Sequence, residues 1–139
     1  MRYMVLVKAT PESESGGMPS EEIFEAMNTY NQELAKAGVL VAGEGLHPSS
    51  EGARVRFDGK DRTVVDGPFA ETKELIAGFW IFDVKSKEEA VEWVRRAPMQ
   101  EGELEIRRVF EAEDFGDALP EHIKEWEAQE RARQETRQS

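Results

Sequence analysis

Apolar residues fall at alternate positions in the opening run "RYMVLVKA". Tyr3, Val5 and Val7 interleave with Met4 and Leu6, so that both faces are largely apolar. This period-two pattern predicts a β-strand. The polar stretch "TPESESGGMP" follows, with two prolines and paired glycines, and predicts a loop. Ser20 then stands as an N-cap, with Glu21 and Glu22 placed to favour the helix dipole. Ile23, Met27, Tyr30, Leu34 and Ala37 recur at helical spacing, and Gly38 supplies the left-handed stop.

Further along, "VLVAGEGL" (Val39 to Leu46) reads as a strand that runs into glycine, and "HPSSEG" as a loop. "ARVRF" and "RTVVD" flank "DGKD", whose Asp58-Gly59 pair is a hairpin signal. "LIAGFWIFDV" is a long apolar strand. Ser86 and Glu89 have capping-box spacing and open a second helix, whose buried side is Ala90, Val91, Trp93, Val94 and Ala97 and which stops at Pro98. "ELEIRRVF" closes the set, with Leu104, Ile106 and Phe110 at even steps.

Apart from the small hairpin, the order is strand, helix, strand, strand, helix, strand. This is the α+β, split βαβ (βαββαβ) or ferredoxin-like arrangement, an antiparallel sheet with both helices on one face and here an inserted β-hairpin. Two of its strands are apolar on both faces, so the uncovered face predicts a second copy of the same sheet and hence a homodimer. After Phe110 the chain becomes highly charged. Pro120 fits the first turn of a helix. Ile123 and Trp126, joined by Leu119, form its apolar face. Two readings stay open there: a short helix pinned by Trp126 onto the body, or an extension that clasps a neighbour, with the last residues fraying. The expected division is residues 1–112 as one domain and 113–139 as a charged helical extension.

Composition narrows the function. The chain has 139 residues, with 29 acidic against 18 basic side chains and a formal charge of −11. That balance disfavours a nucleic-acid backbone or an anionic membrane as partner. With no cysteine, disulfides, thiolate zinc sites and cysteine nucleophiles are excluded. No apolar run reaches the ~20 residues of a membrane span, and the first residues do not resemble a signal peptide, so a cytoplasmic location is expected.

Charge is concentrated in "DGPFAETKE" (Asp66 to Glu74), between two strands. Asp66-Gly67-Pro68 has turn chemistry, with Asp accepting backbone N–H bonds, Gly free to take a positive φ and Pro fixing the exit. That is the purely architectural reading. The functional one has Asp66 and Glu74 lining a cleft, with Lys73 between them to orient an anionic group. Glu44, between two glycines at a strand end, is a third acid–base or binding candidate, and the three carboxylates could make an acidic pocket. His47 is the body's one histidine, since His122 lies in the tail. It is a candidate substrate-binding group, while a metal site lacks a second ligand at suitable spacing. Trp80 lies in step with Gly78 and Phe82 and is either a ligand-cavity wall or dimer core. No phosphate loop or nucleotide fingerprint is present, and no cofactor is expected.

The motif "DGPFAETKE", together with "RYMVLV", "GVLVAGEGLHPS" and "GFWIFDVKSKEEAVEW" in that order, resembles the DGPF family of YciI-related (YCII-domain) bacterial proteins. The resemblance implies a ferredoxin-like subunit that forms a dimeric α/β barrel. Some relatives use a His–Asp pair in a cleft near the dimer interface, and one is a dehydrochlorinase of a chlorinated aromatic metabolite. This chain departs from that pair. Its first helix has no histidine, and Ala97-Pro98-Met99 stands where those relatives have Asp-Pro-Phe. The acid–base chemistry of that pair therefore does not carry over, and two readings stay open, the first a small-molecule-binding protein that acts as an enzyme of elimination, isomerisation or hydrolysis type. The resemblance supplies the alternative, a ligand sensor or accessory partner of an extracytoplasmic-function sigma factor, since DGPF members are often encoded beside such factors.

Overall fold

The computed structural model describes residues 1–138. The chain runs β1 (Arg2–Lys8), α1 (Pro11–Glu14), α2 (Glu21–Lys36), β2 (Leu40–Gly45), β3 (Ala53–Asp58), β4 (Asp61–Asp66), β5 (Ile76–Asp83), α3 (Lys87–Arg95), β6 (Leu104–Arg108) and α4 (Glu121–Gln138). Short 3-10 turns occupy Ser49–Glu51, Thr72–Glu74 and Ala112–Ala118. The architecture is mixed α+β with antiparallel sheets. Four strands lie side by side as β2-β5-β1-β6, and β3 and β4 form a separate two-stranded sheet. The chain divides into two compact units, Met1–Arg108 and the segment from Val109 onward.

Alternation decides which side chains enter the core. Tyr3 and Val5 of β1 and Trp80 and Phe82 of β5 point to one face and are buried, together with Tyr30 and Leu34 of α2 and Ala90 of α3. Helix α2 begins where the sequence predicts, because Ser20 Oγ accepts the Ile23 N–H at 3.3 Å and so satisfies one of the free N-terminal donors. Ser86 does the same for α3 through the Glu89 N–H, while the Glu89 carboxylate accepts the N–H of Lys85, one residue before the expected partner.

Helix α1 departs from the expected loop. Thr10 caps it through the Ser13 N–H, Ser13 Oγ answers by accepting the Thr10 N–H, and Pro11 sits at its first position. These three local features are enough for one turn without an apolar stripe. In the second unit, α4 is a single helix of 18 residues that starts directly after Pro120. The backbone is helical through Gln138, where the final residues were expected to fray.

Polar contacts inside the core fix its packing. Tyr30 donates its hydroxyl to the Trp93 carbonyl at 2.6 Å, and Trp80 donates its ring N–H to Asn31 Oδ1 at 2.9 Å. The Tyr30 and Trp80 rings meet edge to face at 5.7 Å. A Cβ at Gly43 would stand 2.8 Å from the Trp80 ring, so the bare glycine of β2 makes room for the indole. Burial pushes the Tyr30 hydroxyl up to about 12, with Arg96 opposing and Glu33 assisting.

A raised folded pKa means that the folded state keeps its proton longer than the unfolded one. Stability is then full below the unfolded pKa near 10 and falls as pH rises from there towards about 12. Tyr30→Phe is expected to flatten that alkaline decline in urea titrations at stepped pH. At neutral pH it should cost about 0.5–1.5 kcal/mol for the lost hydrogen bond. An unchanged alkaline slope in the variant would locate the effect elsewhere.

Candidate functional site

The end of the sheet at which β1 and β2 finish and β5 starts carries most of the residues singled out in the sequence. Three segments meet there: the stretch containing α1, the turn at Ser49–Glu51, and the motif loop from Asp66 to Glu74. Ser49 is their hub. Its N–H donates to Glu14 Oε2 at 3.0 Å, its hydroxyl donates to the other oxygen of the same carboxylate, and its Oγ accepts the Phe69 N–H at 3.0 Å. Gly67 lies so close that a Cβ there would stand 1.7 Å from the Ser49 carbonyl oxygen, and its own N–H donates to the Gly52 carbonyl at 3.0 Å. The Gly67-Pro68 peptide is cis. Arg54 completes the lock, with its guanidinium 3.8 Å above the Phe69 ring centroid.

The first half of the motif is thus a docked turn, and Gly67 is required by the close approach of Ser49 rather than by a positive φ. The charged groups lie outside this lock. Asp66, Glu71, Lys73 and Glu74 are all exposed. The turn at Thr72–Glu74 is closed by backbone bonds alone, and Leu75 is tied to β1 through the Ala9 N–H at 2.9 Å. Among the described residues no three His, Asp or Glu side chains gather to hold a metal ion, so Glu44, Asp66 and Glu74 do not make such a cluster.

Glu44 belongs to the other face of the main sheet. It pairs with Phe79 across β2 and β5, and Leu6 and Glu105 continue the same row across β1 and β6. The next row is Ala42, Ile81, Met4 and Arg107. Met4, Leu6, Phe79 and Ile81 therefore form a partly exposed apolar strip with a carboxylate at each side of one row. Those two acids differ. Glu105 is engaged by Lys8 at 3.3 Å and by Arg107 at 3.3 Å, and these hydrogen bonds hold its carboxyl below the usual range. Glu44 has no ion pair or side-chain hydrogen bond among the described residues. Trp80, on the same strand as Phe79, points to the opposite, helix-covered side.

His47 lies just beyond β2, with Nδ1 2.6 Å from Glu51 Oε2 and a side chain 85% exposed. Glu51, Glu14, Ser49 and Asn31 were not singled out by sequence reasoning. The i,i+4 spacing of His47 and Glu51 was a usable signal once a turn follows Pro48. Glu14 and Ser49 are 35 residues apart and carry no local signal of their contact.

The family described as "YCII-related domain" matches residues 1–113. An uncharacterised protein of Rhizobium meliloti (strain 1021) is 32% identical over 90 residues, which is 63% of this chain and 73% of that protein. A solved structure, 5-chloro-2-hydroxyhydroquinone dehydrochlorinase of Burkholderia phenoliruptrix AC1100 in complex with 2,5-dihydroxybenzoquinone, is similar with a TM-score of 0.48 at 16% identity, over 82% of this chain and 98% of that one.

The lock and the exposed charges predict opposite responses to substitution. Gly67→Ala is expected to cost about 1–3 kcal/mol, as overpacking does, and to speed amide exchange at Phe69. Asp66→Asn should stay within about 0.5 kcal/mol of the parent, as an exposed substitution does. Urea unfolding of the two variants checks both. A destabilising Asp66→Asn would mean that its carboxylate holds the turn.

Proposed function

The chain belongs to the YCII-related domain family, and on that premise we propose that it binds a small organic molecule on the open face of its main sheet and carries out proton-transfer chemistry there. The observation that carries this reading is the position of Glu44, a carboxylate without an ion pair, beside Phe79 on an apolar sheet face. A flat aromatic floor with one acid at its margin suits a small polar or aromatic metabolite whose C–H or O–H proton is to be moved. Elimination, isomerisation and hydrolysis all begin or end with such a transfer.

The strip of Met4, Leu6, Phe79 and Ile81 supports a homodimer in which two ferredoxin-like subunits close their sheets into a dimeric α/β barrel. Each Å² of apolar surface so covered contributes roughly 25 cal/mol. Enclosure would also keep bulk water from the ligand and from Glu44. Residues 1–112 form the working domain in this reading, and 113–139 an extension to it.

The remaining groups then fall into a rim. Asp66 and Glu74 are acid–base or binding groups at the end of the sheet, Lys73 orients an anionic part of the ligand, and His47, held by Glu51, is a substrate-binding group at the solvent side. Trp80 supports the floor from beneath, through the strand it shares with Phe79.

A thermal-shift screen against cytoplasmic metabolites tests the reading. A ligand at about 100 times its Kd adds ~2.7 kcal/mol to the parent protein. Glu44→Gln should fold as the parent does and lose the ligand-induced shift, and Asp66→Asn should weaken it. A Glu44→Gln protein that keeps the full shift would sink this site. Separately, Ile81→Asp is expected to turn the dimer into a monomer in light scattering, and a parent that is already monomeric would remove the enclosed face.

A further inference from the structure

Glu44 stands on a pair of strands, β2 and β5, that hold no basic residue. No Lys or Arg occurs between Lys36 and Arg54 or between Lys73 and Lys85, and these intervals contain both strands entire. His47, three positions on, is engaged by Glu51 at 2.6 Å. The cations that share the open face lie on other strands. Arg2 of β1 stands opposite Asp83, at the far end of β5. Lys8 and Arg107 are both turned onto Glu105 at 3.3 Å. Glu105 closes the row that Glu44 begins, three interstrand spacings or roughly 14 Å away.

An aromatic ring adjoins this charge. Glu44 and Phe79 are directly opposite in the antiparallel ladder, so their Cβ atoms are about 4.5–5.5 Å apart on one face. Leu6 follows Phe79 in the same row, and Ile81 and Met4 lie in the next, all of them partly exposed. The face of an aromatic ring is the negative part of its quadrupole and attracts a cation, as a carboxylate does. Two adjacent groups therefore favour positive charge at one spot, and an apolar floor extends from it.

The energetics of covering this spot discriminate between ligands. A body that lies on Phe79 also strips water from Glu44. If that body is neutral or anionic, the carboxylate loses solvation and gains no counter-charge, and affinity falls. An ammonium set between the carboxylate and the ring replaces the lost water with a charge-assisted hydrogen bond. The formal charge of −11 draws cations towards the protein at long range in the same sense.

From this placement we infer that the molecule bound beside Glu44 is an organic cation, a primary amine with an aromatic or aliphatic body. Its ammonium sits on Glu44 and the Phe79 ring, and its body lies along Leu6, Ile81 and Met4. The inference rests on the open-face site proposed above and adds the charge of what occupies it.

Three probes of one shape test it at neutral pH: benzylamine as the cation, benzyl alcohol as the neutral body and benzoate as the anion. Each is titrated into the full-length, 15N-labelled protein, and the amide signals of Glu44 and Phe79 are followed. Benzylamine is expected to shift both signals saturably and to bind about tenfold more tightly than benzyl alcohol, with benzoate weaker still. Added salt should narrow that gap. Glu44→Gln, checked as folded by its own spectrum, should bring the amine and the alcohol to equal affinity, and Glu44→Asp should keep the preference for the amine. Benzyl alcohol or benzoate binding at Phe79 as tightly as the amine overturns the inference and leaves the open-face site standing. A preference for the amine that survives Glu44→Gln overturns it as well, since the selecting charge is then elsewhere. No shift at Phe79 from any of the three probes overturns the inference together with the strip as a binding face.

Discussion

Side chains on a β-strand alternate between two faces, and in this protein only one face of the main sheet is covered by helices. Most of the first unit follows from that constraint. Tyr3, Val5, Trp80 and Phe82 take the covered side and are buried, while Met4, Leu6, Phe79 and Ile81 take the other and stay partly exposed. A one-residue slip in β1 or β5 would exchange the two sets. Register is held from the covered side, where Trp80 needs both the gap at Gly43 and the acceptor at Asn31. Those two requirements lie on different elements, so they fix β2 and α2 against β5 at the same time.

The same constraint separates the acids of the open face. Glu105 sits where Lys8 and Arg107 can reach it, so its charge is compensated within the sheet. Glu44 is on the far edge strand, where its neighbours in the row are Phe79 and then Leu6, and neither can compensate a charge. Two carboxylates on one sheet face thus have different chemistry because of strand order alone. This difference directs the functional reading to Glu44 rather than to the charged motif that dominates the sequence.

The motif loop divides into two parts with different physical roles. Gly67 packs against Ser49, and Phe69 is bonded to Ser49 and lies under Arg54, so that the turn joins three segments at one end of the sheet. Asp66, Glu71, Lys73 and Glu74 face water. So the interruption of the sheet by so many charges is a solvated rim on a docked, partly exposed turn.

Much of this was legible in the chain. The strands, the two capped helices and the hairpin follow from periods of two and 3.6 and from Ser20, Ser86 and Asp58-Gly59, since each depends only on residues a few positions apart. The two-sided apolar character of β1 and β5 was equally plain, and with it the expectation of an uncovered face. The turn character of Asp66-Gly67-Pro68 could be read, but its reason could not. Gly67 is dictated by a carbonyl 18 positions earlier in the chain, and Glu14 reaches Ser49 across 35 residues. Such contacts are made by strands and loops that come together only when the sheet closes. Which face Glu44 takes and which acid is neutralised were settled by strand order and helix placement. Sequence spacing fixes the period of a pattern, and the tertiary structure alone decides what stands opposite it.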